Sequence, residues 1–129
     1  MRCLIAEDDA TSRVLLQRFL SRFGDCDIVV DGKEAVQTVR NARAKNRSYD
    51  LICMDLRMPV MDGQEAIREI RKEEDAAETL RKMKIIVTTS QSDMSSITTA
   101  LLGKCNAYMM KPIDTGKLLA ELRDLGLVK

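Results

Sequence analysis

The chain has no histidine and no tryptophan among its 129 residues, and only two phenylalanines and two tyrosines. Without histidine, Ser-His-Asp and Cys-His catalysis and imidazole metal sites are excluded. With four aromatic residues, a stacking site of the kind a flavin carrier needs is not expected. No apolar stretch approaches the roughly 20 residues of a membrane span, and no leader-like segment precedes the first strand pattern. The chain is therefore expected to be soluble and cytoplasmic. Twenty-one basic residues against twenty acidic ones leave a net charge of +1. That balance argues against bulk attraction to nucleic acid or membrane. Cys3, Cys26, Cys53 and Cys105 form no C-x-x-C pair. Cys3 and Cys53 fall inside apolar runs and are expected to be small core residues rather than parts of a disulfide framework.

What is present is a regular alternation of strand and helix patterns. Cys3 to Ala6, Ile28 to Val30, Leu51 to Met54, Lys84 to Thr89 and Ala107 to Met110 read as five short strands. Between them, Thr11 to Phe23 carries Leu15, Leu16, Phe19, Leu20 and Phe23 at helical spacing, with Gly24 expected to end it. Asp31 and Asp62 each stand three residues before a glutamate and open helices bearing Ala35, Val36, Val39 and Ala42, and Ala66, Ile67 and Ile70. Ser92 or Asp93 is expected to cap a helix reaching about Leu102. Asp114 is expected to start the last helix, with Leu118, Leu119, Leu122 and Leu125 inward. Continuous rather than alternating apolar strands suit a parallel sheet covered on both faces. Right-handed crossovers then give one doubly wound α/β domain over residues 1–129, its site beyond the C-terminal strand ends.

Glu7, Asp8, Asp55, Thr89 and Lys111 all fall at such ends. Carboxylates crowded at one sheet edge repel one another unless a cation binds. Oxygen donors of this kind suit magnesium or manganese. Asp8 and Asp55 are the natural direct ligands, and the longer Glu7 could act through water; Asp9 and Asp62 read as helix caps. An ionised carboxylate beside such a cation can attack phosphorus to form an aspartyl phosphate. Lys111 and a strand-end hydroxyl would then meet the phosphoryl oxygens. Thr88 and Thr89 compete for that hydroxyl role, and position at the strand end favours Thr89. Lys111 precedes Pro112, where a cis peptide bond is affordable.

As a set, Glu7-Asp8, the segment Met54-Asp55-Leu56-Arg57-Met58-Pro59-Val60-Met61-Asp62-Gly63, the threonine ending strand four and Lys111-Pro112 resemble the receiver domain of two-component response regulators. The resemblance covers essentially the whole chain. It implies a flavodoxin-like (βα)5 fold with strand order 2-1-3-4-5, and Asp55 as phosphoacceptor. It implies metal ligation by Asp8, Asp55 and the Arg57 carbonyl, with Glu7 as the second acidic position. It also implies a switch in which Thr89 moves toward the phosphoryl group and Tyr108 turns inward, altering the protein-binding face of helix four, strand five and helix five. The implied donor is a histidine kinase or a histidine phosphotransfer protein, since the histidine has to come from another molecule. With no output domain in the sequence, output through protein contact or onward phosphotransfer is expected.

Arg57 and Gln91 occupy positions that vary in this family and influence phosphoryl lifetime. Arg57 is expected to pair near Glu7 or Gln91, or to cover the phosphoryl group. Glu73 to Glu78 lengthens the connection before strand four and reads as a solvated helix face. Arg40, Arg43, Lys45 and Arg47 read as a solvated basic helix end. Lys104 stands where the family often has glycine, one place after Gly103, so that turn is expected to be rebuilt. Two other functions fit less well. A receiver-shaped module that is never phosphorylated would not need the full acidic and Lys/Thr set. An aspartyl-phosphate phosphohydrolase of the haloacid-dehalogenase kind would need aspartate where Arg57 stands.

Overall fold

The computed structural model describes residues 1–95, 97, 101 and 103–129. Five strands alternate with helices: β1 (Arg2–Ala6), α1 (Ala10–Leu20), β2 (Asp25–Val29), α2 (Gly32–Ala44), β3 (Leu51–Asp55), α3 (Gly63–Ala76), β4 (Lys84–Thr89), α4 (Gln91–Met94), β5 (Ala107–Met110) and α5 (Thr115–Asp124). The strands form one parallel sheet in the order β2-β1-β3-β4-β5. This is the doubly wound, flavodoxin-like arrangement expected from the sequence.

Strand periodicity divides the core in two. Leu4, Ala6, Ile52, Met54, Ile85 and Val87 pack on Ala35, Val36 and Val39 of α2 and Ala66, Ile67 and Ile70 of α3. Cys3, Ile5, Leu51, Cys53 and Ile86 face the other way, onto Leu16 and Leu20 of α1 and Leu118 and Leu122 of α5. Central β3 is buried at all five positions, because helices cover both its faces. Asp9, Asp31, Asp62 and Asp114 cap their helices, each accepting a hydrogen bond from the backbone N–H three residues on. Each such cap contributes about 1 kcal/mol to its helix.

Several boundaries differ from the sequence reading. β2 starts at Asp25, well before Ile28, and Val30 lies outside it, exposed. Its first residues are recruited by pairing Arg2 to Asp25 and Cys3 to Cys26, a tertiary contact that local propensity does not report. α1 ends at Leu20, so Gly24 is not its terminator. Gly24 lies against the Met1 backbone so closely that a Cβ would collide with the Met1 carbonyl. Ser90, rather than Ser92 or Asp93, caps α4, its hydroxyl accepting from the Asp93 N–H at 3.1 Å. Leu102, where that helix was expected to end, lies outside the described residues.

The acidic run Glu73 to Glu78 continues the end of α3 and is largely solvated, with Glu74 as the exception. α3 extends to Ala76, and Glu74 is buried. Glu74 Oε1 meets Arg71 Nη1 at 2.7 Å, and Oε2 accepts from the Met83 N–H at 2.8 Å. Arg71 also donates to the carbonyls of Lys104 and Met83 and to Asn106 Oδ1. Three residues apart on one helix face, Arg71 and Glu74 shield each other. Together they clasp the start of β4 and the turn before β5. That turn is closed at Lys104, whose N–H donates to the Leu101 carbonyl. Nor is the basic end of α2 wholly solvated: Arg40 makes a two-pronged contact with Glu73, and Arg43 stands 3.8 Å from the same carboxylate.

Removing one partner of a buried pair leaves the other charge unpaired. Glu74→Ala is therefore expected to lower the unfolding free energy by about 3 kcal/mol, measured by urea denaturation. A loss below about 1 kcal/mol, the range of exposed pairs, would show that the clasp is not load-carrying.

Candidate functional site

β1, β3 and β5 end at the same edge of the sheet and deliver Glu7, Asp55 and Lys111 there. By strand alternation all three lie on the face that carries Cys3, Ile5 and Cys53. Glu7 is fully buried, and Asp55 is 5% exposed. Lys111 Nζ stands 2.7 Å from Glu7 Oε1 and 3.3 Å from Asp55 Oδ2. The Lys111-Pro112 peptide bond is cis. The Lys111 N–H donates to the Thr89 carbonyl at 2.7 Å, fixing the end of β5 against β4.

Asp55 is held at a second point, where Oδ1 accepts from the Arg57 N–H at 3.3 Å. Gly63 underlies it: a Cβ there would collide with the Asp55 carbonyl, and the Gly63 N–H donates to the Leu56 carbonyl at 2.8 Å. Between them, Val60 adopts φ 69°, a left-handed conformation uncommon for a β-branched residue. Glu7 Oε2 accepts from the Asp9 N–H, and exposed Asp8 completes the group. One carboxylate oxygen from each of Glu7, Asp8 and Asp55 lies within 4.8 Å of the others. Three hard oxygen donors in that space fit a divalent cation such as magnesium.

The two buried carboxylates compete for one ammonium. Burial, and then the adjacent Glu7, push Asp55 up to about 7, while Lys111 and the Arg57 N–H pull the other way. Burial works against the Lys111 charge, but Glu7 and Asp55 outweigh it and hold its pKa above the ordinary value.

Thr88 is the register partner of Asp55, and its hydroxyl is enclosed without a hydrogen-bond partner. Thr89 is fully buried at the end of β4, its hydroxyl 3.4 Å from the Ser90 carbonyl. By alternation Thr89 shares its face with Val87 and with Tyr108, the partner of Val87 on β5. The Tyr108 ring packs half-buried against the α2/α3 side of the core with its hydroxyl enclosed. Burial and the neighbouring Cys105 thiol raise its pKa.

Of the expected places for Arg57, the structure selects the neighbourhood of Gln91 rather than Glu7. Arg57 Nη2 pairs with Asp93 Oδ1 at 2.6 Å across the mouth of the site, two residues beyond exposed Gln91. From the sequence Asp93 reads only as a cap, and Gly63 only as a helix start and as the end of the segment that resembles the receiver family. The available signals were Asp93's place in the first turn after β4, and a glycine where β3 and α3 approach closely.

An open α/β sheet with a cation-ready carboxylate cluster and a lysine at its C-terminal edge defines a class of phosphoryl-handling domains. The family model of the response regulator receiver domain matches residues 3–123, and the chain belongs to that family, which serves two-component signalling. Among curated relatives, hybrid signal transduction histidine kinase G of Dictyostelium discoideum is 32% identical over 131 residues, which cover 99% of this chain. The match spans only 3% of that kinase. The chemotaxis protein CheY homologue of Campylobacter jejuni is 28% identical, with 97% of this chain and 92% of the relative covered. Among solved structures, the receiver domain of the sensor histidine kinase PA1611 from Pseudomonas aeruginosa, with magnesium in its active-site cleft, superposes with TM-score 0.78 at 30% identity, covering 97% of both chains. The receiver domain of Saccharomyces cerevisiae Ssk1, solved with the histidine phosphotransfer protein Ypd1, superposes with TM-score 0.79 at 28% identity, covering 98% and 88%.

The Asp55 environment sets a pH dependence. Folded, Asp55 keeps its proton up to about pH 7, whereas an unfolded aspartate loses it near the ordinary carboxylate pKa. The folded chain thus binds more protons across that window, and this group's contribution to stability falls as pH rises through it. In metal-free buffer Asp55→Asn is expected to gain on the native chain by roughly 4 kcal/mol between about pH 4 and about pH 8. Urea midpoints at the two pH values test this; parallel changes in both chains would show that Asp55 is not strained.

Proposed function

We propose that this receiver accepts a phosphoryl group on Asp55 from a phosphohistidine of a histidine kinase or histidine phosphotransfer protein, and that residues 1–129 act as one receiver unit. The observation that carries the reading is the convergence of buried Asp55, Glu7 and Lys111 with Asp8 at one sheet edge. In the transfer an Asp55 carboxylate oxygen bonds to phosphorus as the phosphorus–nitrogen bond to the donor imidazole breaks. Asp8, Asp55 and the Arg57 carbonyl would hold magnesium, with Glu7 behind them. A divalent cation there supplies positive charge against the phosphoryl oxygens and favours ionised Asp55. Lys111, already poised between two carboxylates, exchanges its contact with Asp55 for a phosphoryl oxygen.

Thr89 is the hydroxyl that follows the phosphoryl group, since it shares its sheet face with Tyr108 whereas Thr88 does not. Movement of Thr89 frees space beside Tyr108, and the face of α4, β5 and α5 changes its protein partner. In physical terms, a local charge biases a two-state element. The Ssk1 receiver solved with Ypd1 supports a phosphotransfer partner for this chain. The match to nearly the full length of a CheY homologue supports a receiver that works on its own in the cytoplasm, with its output through protein contact. The same site would catalyse its own phosphorylation from small phosphodonors and its own dephosphorylation.

Incubation with acetyl phosphate and magnesium is expected to add one acid-labile phosphoryl group, seen by intact mass, to the native chain and none to Asp55→Asn. Equal labelling of both would refute Asp55 as the acceptor. Lys111→Ala is expected to keep magnesium binding while losing the phosphorylation-dependent changes in NMR shifts around Tyr108. Unaltered shifts in the variant would refute the coupling.

A further inference from the structure

Three of the four cysteines lie on neighbouring strands, Cys3 and Cys26 near the N-terminal ends of β1 and β2 and Cys53 at the middle of β3. Cys3 of β1 and Cys26 of β2 are direct register partners and belong to the same side of the core. Cys53 of β3 pairs with Ile5, two residues along from Cys3. Cys3 and Cys53 are fully buried, whereas Cys26 sits partly exposed on the edge strand.

We propose that Cys3 and Cys26 are a dithiol that peroxide converts to a disulfide, with Cys26 as the attacking thiol and Cys3 as the resolving one. Neighbouring strands run about 4.8 Å apart, so an in-register pair on one face lies within the roughly 4.4–6.8 Å Cα separation that a disulfide spans. The Cys53 thiol also lies beside Cys3, but Cys53 is two residues out of register on β3, which puts its Cα about 8 Å from that of Cys3 by strand spacing and rise, outside that window. The register therefore selects Cys26 over Cys53 as the partner of Cys3. Exposure assigns the order of events, because an oxidant reaches Cys26 from solvent and does not reach Cys3.

The local chemistry agrees. The neighbouring Cys3 thiol draws the Cys26 thiol down to about 7, against burial and the charges of Asp25 and Asp27, while Cys26, Cys53 and burial hold Cys3 itself well above the ordinary thiol value. A substantial fraction of Cys26 is then thiolate at neutral pH, the reactive form. Cys105, also partly exposed, is pushed the other way by burial.

In the first step the Cys26 thiolate bonds to one oxygen of hydrogen peroxide. The O–O bond breaks, hydroxide leaves, and a sulfenic acid remains. In the second, the Cys3 sulfur bonds to the Cys26 sulfur. The S–O bond breaks, and the departing oxygen leaves as water with the Cys3 proton. Two thiols are oxidised and one peroxide is reduced to water. None of this requires phosphorylation at Asp55, so the proposal stands apart from the phosphoacceptor reading.

The test treats the reduced chain of residues 1–129 with a small molar excess of hydrogen peroxide in metal-free neutral buffer, followed by intact mass and peptide mapping. The expected product has lost two hydrogens and links the Cys3 and Cys26 peptides. Cys3→Ala is expected to leave Cys26 as a sulfenic acid that forms more slowly and that dimedone traps, and Cys26→Ser to form no disulfide. Oxygen adducts accumulating on Cys26 of the native chain, a Cys3–Cys53 link, or first reaction at Cys105 would each overturn the proposal. So would a native chain left unchanged at a dose that oxidises free glutathione. The native-chain result decides the matter even if the buried Cys3→Ala substitution impairs folding.

Discussion

Two buried carboxylates share one ammonium at the C-terminal edge of the sheet, and the rest of the site is organised around that shortage of positive charge. Glu7 holds Lys111 at 2.7 Å, closer than Asp55 does at 3.3 Å. Carboxylate oxygens within 4.8 Å of each other repel by about 3 kcal/mol or more at an effective dielectric near 20. That is a sizeable share of a domain's net stability of roughly 5–15 kcal/mol. The scaffold sustains it because β1 and β3, and through β4 also β5, are tied by register, and because Gly63 and the Arg57 N–H hold Asp55 in place. A cation beside these carboxylates, or a phosphoryl group drawing Lys111 away, relieves a tension already built into the fold.

The same geometry explains how a change at Asp55 could travel. Lys111 is hydrogen-bonded through its backbone to Thr89, and Thr89 lies on the face of the sheet that carries Tyr108. Arg57, two residues from the acceptor, is paired with Asp93 in the first turn of α4. Strand ends and the start of α4 are thus joined by short contacts. Meanwhile Arg71 and Glu74 fasten the far end of β4 and the turn before β5. One end of this layer is anchored and the other is sensitive to charge.

Most of the architecture was legible because apolar strand runs and Asp caps are local signals. The carboxylates, Lys111 and the strand-end threonines were legible because a parallel sheet gathers strand ends at one edge. What was not legible depended on partners distant in sequence. β2 begins at Asp25 because β1 pairs with it, and Gly24 is required by the passage of Met1 rather than by a helix end. Glu74 looked like one more solvated acid in a charged run until Arg71, Met83 and the turn at Lys104 closed over it. Arg57 could pair near Glu7 or near Gln91, and the position of α4 selects Asp93, two residues past Gln91.

The most direct test of this account is an NMR titration of the Asp55 carboxyl carbon in the metal-free chain, repeated with saturating magnesium. The account predicts an apparent pKa of about 7 without metal and a clear fall when magnesium is added. Titration in the ordinary aspartate range near 3.9 without metal, unmoved by magnesium, would contradict it.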